Sequence, residues 1–182
     1  SVTATGGSSY SWDNSLGSNA GATISGANTY TVTATAANGC TDTESITVTS
    51  NTTAPTADAG SDFTKTCSSN SSGAAIGESS ASGYTYSWSP SGGLSSSTAA
   101  NPTANPSSTT TYTVTKTTTA NGCTDTDAVT VTVNTTAPTA GITNNTGTTE
   151  LTCATTSISV TATGGSSYSW DNSLGSNAGA TI

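Results

Sequence analysis

The sequence predicts an all-β protein built of antiparallel β-sandwich domains in a linear array. Apolar residues alternate with threonine and serine at period two, as on a half-buried strand, and no stretch has helical spacing. Gly, Pro and Asn-Gly signals separate these short runs, which is the punctuation of a sandwich. The array follows from a repeat: the run from Ser1 to Ile24 returns unchanged from Ser159 to Ile182, a period of 158. Self-similarity at a fixed period marks tandem architectures, so the chain reads as a stretch of a longer periodic polypeptide.

A second, imperfect repeat lies inside the first. Thr29–Ala57 aligns with Thr111–Ala140, matching Cys40 to Cys123 and one NTTAPTA run to the other, each at a spacing of 83. Tyr10–Trp12 matches Tyr86–Trp88 at a spacing of 76, which places seven inserted residues between Trp88 and Tyr112. One period therefore holds two related domain types, A with a length of 83 and B with a length of 75. The expected division is the C-terminal part of a B domain over 1–54, a complete A domain over 55–137, and the N-terminal part of the next B domain over 138–182.

Each element has its own signal. Tyr10 and Trp12 put two aromatics on one strand face after a Gly6-Gly7 turn. Tyr30, Val32 and Ala34 alternate with threonines, Asn38-Gly39 supplies the positive φ angles of a tight hairpin, and Ile46 and Val48 return as its partner strand. Pro55 stiffens a linker over 51–57, since it has no amide hydrogen for a sheet ladder. The A domain repeats this order. Phe63 and Cys67 open it, and Tyr84, Tyr86 and Trp88 alternate. A Pro-containing loop follows, then Tyr112 and Val114, the Asn121-Gly122 turn, and Val129, Val131 and Val133. Leu151, Cys153, Ile158 and Val160 begin the next B domain. Trp12, Trp88 and Trp170, with Tyr30 and Tyr112, are the expected core. One such Trp per domain suits an immunoglobulin-like sandwich.

Composition argues first for disorder: Leu, Ile, Val and Phe supply only 19 of 182 residues, and Ser and Thr supply 76. The strict alternation and the β-branched threonines argue against it. A net charge of −8, with Lys65 and Lys116 the only cations, leaves nothing to neutralise phosphates, so nucleic acid is not an expected partner. No apolar run reaches membrane-spanning length.

Each domain carries one cysteine near its start (Cys67, Cys153) and one after the Asn-Gly turn (Cys40, Cys123). Repeat logic favours Cys67 with Cys123 inside one domain, and Cys40 and Cys153 with copies in neighbouring repeats. The alternative joins Cys40 to Cys67 and Cys123 to Cys153, across domains. Either pattern would imply an oxidising, extracellular compartment.

The chain has no His and offers no nucleophile–base pair, so catalytic residues are not expected and the chain is not read as an enzyme. Asp58, Asp62, Asp125 and Asp127 are candidates for holding calcium, weighed against a solvated acidic surface; no other cofactor is expected. Asn51, Asn70, Asn134 and Asn144 stand in N-glycosylation sequons.

The runs YTYSWSPSGGLSSSTAANPTANPSSTTTYTVT and NGCTDTDAVTVTVN, with ADAGSDFTKTC before them, resemble the PKD-like and immunoglobulin-like tandem repeats of large Bacteroidetes surface adhesins, the gliding-type cargo of type IX secretion. The resemblance implies sandwich domains in tandem, a bacterial cell-surface location, and a role in adhesion or fibre formation. The expected function is thus a structural segment of an extracellular fibre or adhesin, a stiff disulfide-stapled stalk. Its partners would be neighbouring repeats of the same polymer, other fibres or a surface. The alternatives are a carbohydrate- or surface-binding module, and a subunit of a non-covalently polymerised filament.

Overall fold

The alternation of threonine with apolar residues gives fourteen strands and no helix in the structure, a computed structural model that describes residues 1–182. The first five strands are β1 (Val2–Thr3), β2 (Ser9–Trp12), β3 (Gly21–Ala22), β4 (Asn28–Thr35) and β5 (Thr41–Val48). Strands β4 and β5 form one antiparallel hairpin paired from Asn28↔Val48 to Thr35↔Thr41, and β2 joins it with Trp12 opposite Val32. Tyr30 and Val32 point inward and are buried. The outward threonines bond across the pair, Thr29 Oγ1 to Thr47 Oγ1 at 2.9 Å and Thr31 Oγ1 to Ser45 Oγ at 3.1 Å. Such cross-strand hydroxyl pairs stabilise a sheet that has few apolar side chains to spend.

Six strands follow: β6 (Phe63–Thr66), β7 (Ala74–Ala75), β8 (Tyr84–Ser89), β9 (Thr103–Ala104), β10 (Thr110–Thr118) and β11 (Thr124–Asn134). Four of them form a sheet of order β6-β11-β10-β8, and β7 pairs with β9. Strand β10 meets β8 antiparallel with Val114 opposite Trp88, the register that Val32 and Trp12 show. Strand β6 runs parallel to β11, Phe63 beside Val131 and Thr66 beside Asn134. Tyr112, Val114, Val129 and Val131 form the most completely buried core of the molecule. Gly77 closes tightly over Trp88: a Cβ there would stand 2.8 Å from the ring and 2.1 Å from the Ala100 carbonyl oxygen, and its φ of +81° already favours glycine.

The chain divides into two compact units. One comprises Ser1–Ser61, Ala75–Ala104 and Thr111–Val129, the other Asp62–Ala74, Asn105–Thr110 and Thr130–Ile182. In the second, β12 (Gly141–Asn144), β13 (Ser159–Thr163) and β14 (Gly179–Thr181) make a three-stranded antiparallel sheet around Ile158, Val160 and Ala180.

The recurring run folds the same way twice. Val2 pairs with Ala22 as Val160 pairs with Ala180, and the indole N–H of Trp12 reaches Asn19 O at 2.9 Å as that of Trp170 reaches Asn177 O at 2.8 Å. The copies differ only where a partner strand differs. Tyr10–Trp12 is a strand because β4 lies beside it, whereas Tyr168–Trp170 has no such partner and Trp170 is half-buried.

Two details of the hairpins correct the sequence reading. Only Gly39 and Gly122 have positive φ at the tips, while the preceding asparagines do not. Each Asn side chain instead accepts from the backbone N–H two residues on, Asn38 from Cys40 at 3.1 Å and Asn121 from Cys123 at 2.9 Å. The loops are also wider than a two-residue turn. Ala36 N–H bonds to Cys40 O in the first, and Thr118 N–H to Cys123 O in the second, where the loop is one residue longer. That residue is one of the seven assigned to the stretch between Trp88 and Tyr112, which holds the other six.

Candidate functional site

The first linker, Asn51–Ala57, is held in place by the hairpin β10–β11. At the hairpin tip, the Asn121 side-chain amide donates to Asn51 Oδ1 at 3.1 Å and to Thr53 O at 2.9 Å. Further along, Lys116 Nζ donates to Thr56 O at 3.0 Å. Asp125 then accepts from the Ala57 N–H and Asp127 from the Ala59 N–H, each at 2.8 Å. Alternation on β11 explains the spacing: two carboxylates two residues apart face the same way and meet two amides two residues apart. Ala57 and Ala59 are buried beneath this clamp. The Ala59 and Ala128 amides hold the Asp127 carboxyl below its ordinary pKa, because they stabilise the charged form.

Lys116 ties the clamp to the core. It is 8% exposed, forms an ion pair with Glu78 at 2.5 Å, and lies 4.5 Å above the Tyr84 ring. Tyr86 donates its hydroxyl to the same Glu78 at 2.9 Å. The Lys116 hydrogen bond lowers the Glu78 pKa, and Glu78 in turn raises that of Lys116. Burial, then the Glu78 hydrogen bond, raises the Tyr86 pKa. This polar core had no signal beyond a lone Lys in a strand of threonines.

The candidate calcium residues are occupied by backbone amides. Besides Asp125 and Asp127, Asp58 accepts from Gly60 N–H at 2.8 Å and Asp62 from Thr130 N–H at 2.7 Å. No three carboxylate, Cys or His side chains gather at one point. Trp12, Trp88, Tyr30 and Tyr112 are buried as the core reading requires, and Tyr112 and Tyr30 donate to Gly92 O at 2.7 Å and Gly26 O at 3.0 Å. Of the sequon asparagines, Asn51, Asn70 and Asn134 are exposed. The Asn70 amide nitrogen bonds to Thr64 O at 3.0 Å and that of half-buried Asn144 to Thr148 O at 2.7 Å.

The disulfide reading finds no support within this chain. All four cysteines are free thiols. Cys67 follows β6, and the parallel register carries it past Asn134, where its thiol lies 3.6 Å from Thr135 O. Cys123 precedes β11 at the strand's other end. Eleven strand residues separate the two positions, roughly 35 Å at about 3.3 Å per residue, whereas a disulfide needs Cα atoms within about 7 Å. Cys67 and Cys123 therefore cannot be bridged. Cys40–Cys67 and Cys123–Cys153 are not formed either.

There are two open clefts, one of about 420 Å³ lined by Val2, Trp12, Val32, Asp42, Glu44 and Ile46, and a more apolar one of about 320 Å³ lined by Pro138, Ile142, Ala162, Tyr168 and Trp170. No helix is long and apolar enough to cross a membrane.

No family model matches the chain, and no curated protein matches it in sequence. Among solved structures it is similar to the crystal structure of the human Desmocollin-1 ectodomain, at 9% identity and a TM-score of 0.26 over 74% of this chain. It is also similar to SGBP-B of the Bacteroides ovatus mixed-linkage glucan utilization locus, in complex with a mixed-linkage heptasaccharide, at 20% identity and a TM-score of 0.22 over 61% of this chain. The chain spans 31% of the length of each of these structures.

Proposed function

We propose that the chain is a non-catalytic segment of a tandem-repeat stalk, A and B immunoglobulin-like domains alternating along a bacterial extracellular fibre or surface adhesin. The observation that carries this reading is the clamped linker. A flexible tether would leave its amides to water, yet Asn51–Ala59 gives two carbonyls, two amides and one side chain to the hairpin of the domain it enters. Such a junction transmits bending and tension instead of absorbing them, which suits an array whose units contact mainly their neighbours. The repeat supports it as well: an exact recurrence with the same pairing both times supplies length, not a variety of surfaces. The cell-surface and bacterial parts of the reading rest on the resemblance of the repeats.

In the alternative, separate subunits that lend one another a strand such as β12, which pairs on the edge of β13 with Ile142 opposite Ala162, would form a filament by strand addition. A denaturing gel of the native fibre, run with and without reductant, decides. A band far above 17.6 kDa that survives reduction upholds the covalent stalk. Collapse to a ladder of repeat-sized bands upholds strand exchange and removes the stalk.

A further inference from the structure

We propose that each linker of the array is bridged by a disulfide between the opening-strand cysteine of the domain before it and the hairpin-tip cysteine of the domain after it. This rests on the tandem reading above. The chain holds two copies of the NTTAPTA linker, and each displays one half of the bridge. At residues 134–140, the preceding domain supplies Cys67, its thiol 3.6 Å from the carbonyl of Thr135, the second residue of the heptad. At residues 51–57, the following domain supplies its hairpin tip. Asn121 bonds to Asn51 and Thr53, the first and third residues, and its own Oδ1 accepts from the Cys123 N–H at 2.9 Å. Overlaying the two heptads brings both thiol-bearing turns onto the same three linker residues. The first hairpin builds the same tip, with Asn38 Oδ1 bonded to the Cys40 N–H at 3.1 Å, so the tip that would meet Cys67 has the form seen at residues 51–57.

The pairs that follow are Cys67 with the next copy of Cys40, and Cys153 with the next copy of Cys123. No two cysteines of Ser1–Ile182 belong to one pair, which accounts for four free thiols in this chain. It also accounts for why Cys67 and Cys123 lie at opposite ends of β11, the longest strand. Closure needs an oxidant, and an oxidised thiol–disulfide oxidoreductase balances it. One thiolate attacks the enzyme's S–S bond to give a mixed disulfide, and the second thiolate displaces the enzyme sulfur. The two thiols lose two electrons and two protons in total, and the enzyme leaves as a dithiol. Every junction then has a covalent strut beside its peptide linker.

The test compares the 182-residue chain with one in which residues 25–182 are repeated once more, both refolded at low concentration with an oxidised oxidoreductase and titrated for free thiols after denaturation. The expected result is four free thiols in each. The added period brings four cysteines, and two bridges consume as many. Replacing the second copy of Cys40 by Ser should then raise the count in the longer chain to five. Two free thiols in the shorter chain would establish the intradomain pair, and none would establish pairing of Cys40 with Cys67 and Cys123 with Cys153; either overturns the proposal, as do eight free thiols in the longer chain. Both test chains are single polypeptides, so the outcome is independent of the gel that tests the covalent stalk.

Discussion

Ile46 and Val129 hold the same position in their hairpins, six residues after the tip cysteine, yet Ile46 is 42% exposed and Val129 is fully buried. Strand β11 has β6 on its outer edge from Val131 onward, whereas β5 is the outermost strand of its sheet. The same side-chain position is therefore core in one setting and surface in the other. Val129→Ala should destabilise the protein by about 2–3 kcal/mol, the cost of emptying a closed core site. Ile46→Ala should stay within about 0.5 kcal/mol, as surface substitutions do. Urea denaturation of the two variants, read at one wavelength, checks both.

The Lys116–Glu78 pair makes a prediction of opposite signs. Lys116→Ala should cost about 2–3 kcal/mol, because it leaves a half-buried carboxylate with the Tyr86 hydroxyl but without its cation. The double replacement Lys116→Ala with Glu78→Val should return stability to the parent value or above it, since apolar residues of fitting size replace buried ion pairs without loss. The first hairpin lacks the pair altogether: Ala34 stands opposite Tyr10 as Lys116 stands opposite Tyr86, and the bonds Ala4 N–H to Ala20 O and Ile76 N–H to Pro102 O match Gly6 to Glu78. A double-mutant cycle in urea measures the coupling.

The shifted groups fix the pH limits. Glu78 and Asp127 have lowered folded pKa values, so their contribution is complete above the ordinary carboxylate values of 4.5 and 3.8 and is lost as pH falls through the folded ones. Lys116 and Tyr86 have raised values, so their contribution is complete below 10.5 and 10.0 and is lost as pH rises through the folded ones. Thermal melts should show a broad plateau between these limits. The acid edge should move to higher pH if Lys116 is replaced by Gln, because Glu78 then loses the partner that holds its pKa down.

Hydrogen exchange tests the linker clamp directly. The amides of Ala57 and Ala59 should be protected in the parent protein and should exchange faster in Asp125→Ala and Asp127→Ala respectively. Core amides of β10 should be unchanged. Equal acceleration across β10 would mean that the carboxylates support the whole sheet and not the junction.

Tryptophan fluorescence separates the two copies of the recurring sequence. In variants that keep one Trp each, with Phe at the other two positions, acrylamide should quench Trp170 most and Trp88 least, following their exposure. Equal quenching of Trp12 and Trp170 would mean that the first copy is not sealed by β4.

The strands and their faces were legible in the sequence because period-two alternation is a local signal. Tyr30, Val32, Tyr112 and Val114 are inside, and their threonine neighbours are outside, as the pattern requires. The cysteines were not legible, because their position depends on the direction of one strand. A parallel β6 carries Cys67 to the end of β11 remote from Cys123, and nothing in the residues Phe63–Thr66 states that direction. The partners of the acids were not legible for a related reason. Asp125 and Asp127 find their partners 68 residues back along the chain, in backbone amides that carry no side-chain signature. The ion pair joins Glu78 to Lys116 across the intervening strands β8 and β9, and rests on two charges that neighbouring threonines give no reason to bury.

The same ion pair also labels which domain a strand belongs to. Repeat proteins misfold by exchanging equivalent strands between neighbours, and the A and B hairpins share their register closely enough to be exchanged. A β4 strand inserted into an A domain would leave Glu78 facing Ala34 without its cation, a mismatch that a low-dielectric core penalises. In the proposed alternation of A and B, every immediate neighbour would carry the other label, and a strand's true double would lie a full period away.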